Sequence, residues 1–237
     1  MRRWAAALAM VGAVVGYARV RRWFTAWGAD AWEQGMRLPG DELVVDPMVV
    51  TTRAITIDAP ADDVWAWLVQ MGQGRAGFYS YDWLENVFGL DIHNADRIEP
   101  DWQRLAVGDQ LRVAPPNVGP DAGFTVVAMD PGRSLVTAVG DPAVVGPQAA
   151  QGPLSDGGTW TFVLEPIGST QTRLIVRLRA SFPLPSVVAW TVGRLLEPVH
   201  FVMERKQLLG LRDRAARQPA PADAPVTMLR SGSASTG

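Results

Sequence analysis

The chain has 237 residues, enough for one domain of ordinary size with additional segments at its ends. Its formal net charge of -2 supplies no basic field that would attract nucleic acid, so we predict no nucleic-acid partner. The absence of cysteine excludes disulfides, thiolate nucleophiles and thiolate metal sites, and only two histidines are present for acid–base chemistry near neutral pH.

The first predicted element is a hydrophobic anchor helix in residues 1–22. Residues 4–18 carry no charge and lie between arginines at 2–3 and an arginine cluster at 19–22, a flank that argues against signal-peptide cleavage. A helix over that apolar stretch covers about 22 Å of a ~30 Å hydrocarbon core, and flanking aromatic and basic residues can extend the span. The pattern favours a single-pass anchor in the cell membrane with a cytoplasmic domain. A helix lying on the bilayer surface and a soluble terminal helix are the alternatives.

The rest of the chain divides by composition into three segments. Residues 23–46 form a linker with a possible short amphipathic helix, which could rest on the membrane or on the domain. Residues 47–217 contain the periodic apolar patterns of the folded domain. Residues 218–237 are rich in Pro, Ala, Ser and Gly, which predicts a disordered tail. Inside the domain, the Pro/Gly-rich residues 141–157 predict a long loop, either a lid or an insertion.

A glycine motif occurs early in the domain. The stretch 72–77, GQGRAG, fits G-x-G-x-x-G, which binds a dinucleotide when it follows a strand and begins a helix. Here a period-2 strand at 52–57 is followed by an amphipathic helix, and the glycines come where that helix stops. Asp82 and Glu85 then have capping-box spacing at the start of a second short helix. The motif is therefore predicted to be a joint between two helices, with no dinucleotide cofactor.

The second half of the domain is dominated by strand patterns. Short strands are predicted at 110–115, 123–130 and 134–140, and clear period-2 alternation marks 159–164 and 174–182. One face of the last two strands is apolar and the other is rich in arginine, which predicts an antiparallel sheet with one solvated face. A long helical segment follows, which Pro198 is expected to kink or divide.

This order of elements resembles the START-like helix-grip superfamily, also called SRPBCC or the polyketide cyclase and lipid transport group. The resemblance covers about residues 51–216, and MGQGRAGFYSYDWLEN, NADRIEPDWQ and HFVMERKQLLGLRDRA resemble an actinobacterial-type subfamily of it. It implies an α+β fold in which a curved antiparallel sheet wraps a long C-terminal helix around a deep apolar cavity, with two short helices after the first strand. The superfamily implies a cavity but assigns no reaction.

Polar and aromatic side chains near such a cavity are the candidate ligand contacts. The predicted ligand-binding residues are Arg75, Tyr79, Tyr81, Trp102, Trp160, Met203 and Glu204. Two alternatives stay open at this point: the glycine segment serves only as a joint, and the tryptophans belong to the core.

Candidate catalytic residues are few. Glu204 lies four residues after His200 on the last helix, among apolar neighbours that predict partial burial and a raised pKa. Glu204, His200 and Tyr81 are the candidate acids or bases, and the His200–Glu204 pair is alternatively a surface contact. His93 has no second histidine at ligand spacing, so neither a metal site nor another cofactor is predicted.

These observations predict membrane-tethered binding of a small hydrophobic or amphipathic ligand, lipid or polyketide-like, in an internal cavity. One alternative is a cyclase- or dehydratase-type enzyme that uses a cavity carboxylate, histidine or tyrosine. Another is a non-catalytic interaction scaffold. No hydrolase, metalloprotease or nucleotide-phosphate motif is present in the sequence.

Overall fold

The computed structural model describes residues 2–119, 121–139, 157–181 and 186–217. The helices and strands, in chain order, are α1 (Arg2–Thr25), α2 (Ala31–Gly35), β1 (Val49–Ile57), α3 (Ala61–Val69), α4 (Asp82–Val87), β2 (Gln110–Arg112), β3 (Gly123–Asp130), β4 (Ser134–Val139), β5 (Gly157–Ile167), β6 (Gln171–Ser181) and α5 (Ser186–Ala215). The predicted tail at 218–237, and all but the last residue of the predicted loop at 141–157, lie outside the described residues.

The six strands form one antiparallel sheet in the order β1-β6-β5-β4-β3-β2. Period-2 alternation places Phe162, Leu174 and Val176 on one face, where each is fully buried. Strands β5 and β6 form a hairpin with the longest pairing in the sheet. Strand β1, the first in the chain, pairs along its whole length with β6, the last. The predicted α+β fold with a curved antiparallel sheet is confirmed.

Helix α5 packs against the apolar face of this sheet together with α3. Leu208 and Leu211 of α5 are buried with Trp67 and Leu68 of α3 in the main hydrophobic core. The helix continues through Pro198, so the predicted division does not occur. A long C-terminal helix held by a wrapped sheet is the helix-grip arrangement that the sequence predicts.

The arginine-rich face of the sheet is covered by the linker, and the prediction that this face is solvated is wrong. Helix α2 and the residues around it lie over the outer face, where Leu38 packs on Ile175. Arg177 is buried and donates hydrogen bonds to the backbone carbonyls of Met36, Glu33 and Gln34. The arginines of this face bind the linker segment that covers the sheet. The linker therefore rests on the domain in this structure.

The sequence predicts a membrane span in α1, and this prediction is not supported. Among the residues that the structure describes, no helix has a stretch long and apolar enough to cross a bilayer. The physical reason is that the uncharged stretch is short, is rich in weakly hydrophobic alanine and glycine, and is bounded by arginines on both sides. The predicted single-pass localisation in the cell membrane is not supported either.

The C-terminal end of α1 is bound to the domain. The rings of Trp23 and Phe24 lie 5.0 Å and 5.9 Å from the Phe201 ring of α5, measured between centroids. Arg21 forms a bidentate ion pair with Glu197, with both donor–acceptor distances at 2.7–2.8 Å. Helix α1 is therefore fixed to the outer side of α5 at this end.

The glycine segment forms a tight turn between α3 and α4. Gly72 and Gly77 pair as an antiparallel bridge, so the chain reverses within six residues. Gly77 has φ of +67°, and a Cβ atom there would lie 2.7 Å from Asn94 Oδ1 and 2.8 Å from the carbonyl oxygen of His93. The segment has the predicted role of a joint, because it follows a helix and shapes the backbone.

We expect Gly77→Ala to lower the free energy of unfolding by about 2 kcal/mol, because a left-handed φ and a steric overlap are both imposed on alanine. Gly74→Ala is the matched control. Gly74 has φ of +74° with no atom within 4 Å of an added Cβ, so only the conformational cost of about 1 kcal/mol applies. Urea unfolding of both variants measures the difference, and equal losses would show that the contact with residues 93–94 is unimportant.

Candidate functional site: an apolar cavity

A cavity of about 490 Å³ lies between the apolar face of the sheet and α5. Three of its lining residues, Val139, Leu196 and Val199, are exposed in the part of the chain that the structure describes. The remaining lining residues are Val49, Thr51, Phe78, Ser80, Glu85, Leu90, Ile92, Val113, Phe124, Gly158, Trp160, Leu178, Ala180, Gly193, Glu197, His200, Met203, Glu204 and Gln207. The wall is mostly apolar, and its polar groups are few enough to be followed one by one.

The structure brings together part of the predicted ligand-binding set. Trp160, Met203 and Glu204 line the cavity, as does His200. Trp160 packs against Phe124 and Phe162 at ring-centroid distances of 5.2 Å and 4.7 Å, which makes it both wall and core. These residues converge because β5 and α5 form opposite walls.

The other predicted ligand contacts lie outside the lining of this cavity. The Arg75 guanidinium donates hydrogen bonds to the backbone carbonyls of Val69 and Trp102, and its burial lowers the pKa. The Tyr79 hydroxyl is buried and donates to the Trp67 carbonyl, and burial raises its pKa despite a hydrogen bond from Gln70. Both side chains bind backbone carbonyls of neighbouring segments and so stabilise the local fold.

Tyr81 lines a second, polar cleft of about 430 Å³ rather than the apolar cavity. Lys206 lies 5.8 Å from the centre of its ring, and Arg214 pairs with Asp96 on another wall of the cleft. The cations in this cleft already have partners within the domain.

The strongest polar feature beside the apolar cavity is a buried cluster around Glu204. One carboxylate oxygen accepts a hydrogen bond from Arg53 of β1, and the other accepts one from Trp160 Nε1 at 2.8 Å. Arg53 is fully buried and also donates to the Phe24 carbonyl and to His200 Nδ1, at 2.8 Å and 3.0 Å. Helix α1, the sheet and α5 are joined through this one arginine.

The electrostatics of this cluster correct the predicted raised pKa of Glu204. Burial raises the pKa of the carboxyl group, but the charge of Arg53, the neighbouring His200 and hydrogen bonds from Arg53 and Trp160 together lower it below its ordinary value. Desolvation lowers the pKa of His200, so its ring is neutral at neutral pH. Because Arg53 can only donate, His200 Nδ1 accepts and the proton is on Nε2, 3.5 Å from Glu204.

Glu197 is a second carboxylate on the cavity wall that has its own cations. It is buried, and Arg21 of α1 and Arg194 of α5 both contact it at hydrogen-bond distance. Hydrogen bonds from two arginines fix the Glu197 carboxylate in place. It is therefore held away from chemistry with a cavity ligand.

Glu85 differs from the other cavity carboxylates, and the sequence analysis did not identify it as a site residue. Its predicted capping bond does not form, because the helix begins at Asp82 with Tyr81 as the N-cap residue. The Glu85 side chain is instead buried against the cavity, and its Oε2 atom has no hydrogen-bond partner. Burial and the nearby charge of Asp82 raise the pKa of Glu85 to about 7.

Thr51 is the second unpaired polar group on the wall. Its Oγ1 atom is buried and has no hydrogen-bond partner. The residue opposite Thr51 in the sheet register is Leu178 of β6, whose side chain is apolar. Native proteins leave few buried polar atoms unpaired, so two in one cavity are informative. The available signal in the sequence is a threonine in phase with Val49 and Arg53 on the inward face of β1.

In the part of the chain that the structure describes, no group of three or more histidine, aspartate or glutamate side chains is arranged to hold a metal ion. His93 pairs with Asp91 at 3.0 Å on the surface, two residues away in sequence.

The fold and the site define a helix-grip protein with an internal, mostly apolar cavity. No protein-family model matches the sequence, and no curated protein matches it.

Among solved structures, the chain is similar to a protein from Thermobifida fusca at 15% identity and a TM-score of 0.43, over 71% of this chain and 93% of that one. It is also similar to the Zhui aromatase/cyclase from a Streptomyces species, at 15% identity and a TM-score of 0.39, over 71% and 94% of the two chains. A polyketide-cyclase-like protein from Corynebacterium glutamicum matches at 13% identity and a TM-score of 0.37, over 70% and 90%. The assignment of the fold rests on the strand order and the long helix of the protein itself.

Proposed function

We propose that this protein binds a small hydrophobic or amphipathic molecule, such as a lipid or a polyketide-like compound, in the cavity between the sheet and α5. The observation that carries the proposal is a cavity of about 490 Å³ whose wall is mostly apolar. Ligand cavities of a few hundred Å³, with mostly apolar walls and a few placed polar groups, are typical of small-molecule sites.

The affinity would come mainly from burial of apolar ligand surface. Sequestering about 300 Å² of such surface is worth roughly 7 kcal/mol before the costs of association are subtracted. The polar wall atoms would then fix the orientation of the ligand.

The arrangement of the acid–base candidates favours binding over catalysis. Glu204 is occupied by Arg53 and Trp160, and His200 accepts from Arg53. Glu197 is occupied by two arginines. A cyclase or dehydratase needs at least two titratable groups directed at its substrate, whereas among the described carboxylates of the wall only Glu85 has an oxygen without a partner.

Ala180→Phe tests the proposal by filling the cavity from the wall of β6. We expect it to reduce binding of a neutral fluorescent probe, N-phenyl-naphthylamine, by about tenfold or more, because the added ring occupies ligand space. Ala128→Phe, at an exposed position of β3, is the matched control and should bind as the wild type does. Fluorescence titration measures both.

Native mass spectrometry of protein purified from its own host is the companion measurement, and a retained small molecule is the expected result. A wild-type protein that neither retains a molecule nor binds the probe saturably would overturn the proposal.

A further inference from the structure

The polar groups on the cavity wall differ in whether their hydrogen bonds and charges are already satisfied. Glu204 and Glu197 are ion-paired, and His200 is neutral and accepts from Arg53. Glu85 Oε2 and Thr51 Oγ1 are the two buried wall atoms without a partner among the described residues. A ligand that satisfied both would remove two desolvation costs that the empty protein carries.

We propose that the cavity selects an uncharged, oxygen-bearing hydrophobic molecule, in which one oxygen accepts a hydrogen bond from the protonated Glu85 carboxyl group and a second polar group pairs with the Thr51 hydroxyl. This inference rests on the proposed function, and it names the class of ligand. Glu85 on α4 and Thr51 on β1 lie on different elements, so the two polar groups of the ligand belong at separate positions on an apolar body.

Charge excludes an anionic ligand. The wall carries the carboxylates of Glu197 and Glu204 in addition to Glu85. Arg21 and Arg53 neutralise Glu197 and Glu204 from outside the wall, although Arg53 Nη2 is itself buried without a hydrogen-bond partner. A buried anion needs a partner of opposite charge, and no arginine or lysine is among the described residues that line the cavity.

A cationic ligand is disfavoured by desolvation. An ammonium group facing Glu85 would require two ions to be taken out of water, which offsets much of their attraction. A protonated carboxyl group and a neutral oxygen form a hydrogen bond without that cost. The neutral hydroxyl of Thr51 as the second unpaired group fits the same choice.

The charged and titratable groups near Glu85 decide which of them a pH dependence of ligand binding would report. Asp82 on its own helix is the neighbour whose charge raises the pKa of Glu85. The other titratable residues of the cavity wall are Glu197, His200 and Glu204, which are ion-paired or neutral. Lys206 contacts the Tyr81 ring in the separate polar cleft. A change in ligand affinity near pH 7 would therefore report the protonation of Glu85.

The test compares three probes with alkyl chains of the same length: dodecan-2-one, whose carbonyl oxygen can only accept a hydrogen bond, dodecanoate and dodecylamine. Each displaces N-phenyl-naphthylamine from the wild-type protein, and we expect dodecan-2-one to bind about tenfold more tightly than either charged probe near neutral pH. Its affinity should weaken from about pH 6 to about pH 8, because ionised Glu85 no longer donates a hydrogen bond.

Two variants assign the effect to Glu85. Glu85→Gln keeps a donor at every pH, so the pH dependence of dodecan-2-one binding should disappear while the affinity is retained. Glu85→Leu removes the donor, which should weaken dodecan-2-one about tenfold at about pH 6. Glu165→Gln, at an exposed carboxyl group of β5, is the matched control and should leave the pH profile unchanged.

A ligand-free measurement checks the state of Glu85 separately. Because its folded-state pKa is raised, the stability that protonation contributes is present below the unfolded pKa and is lost as the pH rises through about 7. The urea midpoint of the wild type should fall over that range more than the midpoint of Glu85→Gln.

The outcomes separate this inference from the proposed function. Tightest binding of dodecylamine or dodecanoate, or an unchanged pH profile in Glu85→Gln, would overturn the choice of an uncharged ligand while cavity binding stands. Failure of the neutral fluorescent probe to bind the wild type would overturn cavity binding itself.

Discussion

Arg53→Met is expected to lower the free energy of unfolding by about 3 to 5 kcal/mol, because it leaves the carboxylate of Glu204 buried without its cation. Glu204 is almost fully buried, and Arg53 has no exposed surface. The remaining hydrogen bond from Trp160 cannot replace a charge. Urea unfolding monitored by tryptophan fluorescence measures the loss.

The matched control is an ion pair of the same residue types on the surface. Arg97 pairs with Glu99, and its side chain is 78% exposed. Exposed pairs contribute about 0 to 1 kcal/mol, so Arg97→Met should change stability little. Equal losses in the two variants would mean that the buried cluster does not hold α1, the sheet and α5 together.

The pH dependence of the Arg53 effect follows from the sign of the Glu204 shift. A carboxyl group whose folded-state pKa is lowered contributes stability above its unfolded pKa and loses it as the pH falls through the folded value. The difference between the wild type and Arg53→Met should therefore be largest near neutral pH and should shrink in acid.

Arg177→Met is the second change with a large expected effect, a loss of about 3 kcal/mol or more. The buried guanidinium of Arg177 pairs with Asp41 and donates to three linker carbonyls, so its removal leaves several polar groups without partners. The linker should then leave the sheet. Limited trypsin digestion measures this change. Mass spectrometry monitors cleavage after Arg37, which should be faster in the variant than in the wild type.

Arg133→Met, in the exposed turn between β3 and β4, controls for the loss of an arginine. It should unfold and be digested as the wild type is. Unchanged cleavage after Arg37 in Arg177→Met would show that the other contacts of the linker, among them those with Arg173 and Arg179, are enough to hold it to the sheet.

Most of the fold could be predicted because its strands and helices follow from the local spacing of apolar residues. The alternation of Trp160, Phe162 and Leu164 predicts a strand, and the helix held by the sheet was implied by the resemblance of the element order to the helix-grip superfamily. The glycine motif could be reinterpreted for the same reason: the helix before it is visible in the sequence, and a dinucleotide site requires a strand there.

The site was less predictable because its pairings are long-range or depend on one helix boundary. Arg53 is in phase with Ile55 on an apolar face, but its partner Glu204 lies 151 residues away. Glu85 fits a capping box only if Asp82 is the N-cap residue. The helix instead begins at Asp82 itself, and that shift of one residue leaves Glu85 to face the cavity. No local pattern distinguishes the two cases.

The cover over the outer face of the sheet also has a consequence for the order of folding. Glu33 of the covering segment contacts Arg173 of β6, which lies 140 residues away along the chain. During synthesis the covering segment leaves the ribosome first and its arginine partners in β6 leave near the end. Closing such a long loop is slow, so we expect docking of residues 26–46 to be a late step of folding. Before that step, the outer face of the nascent sheet would be open to other chains.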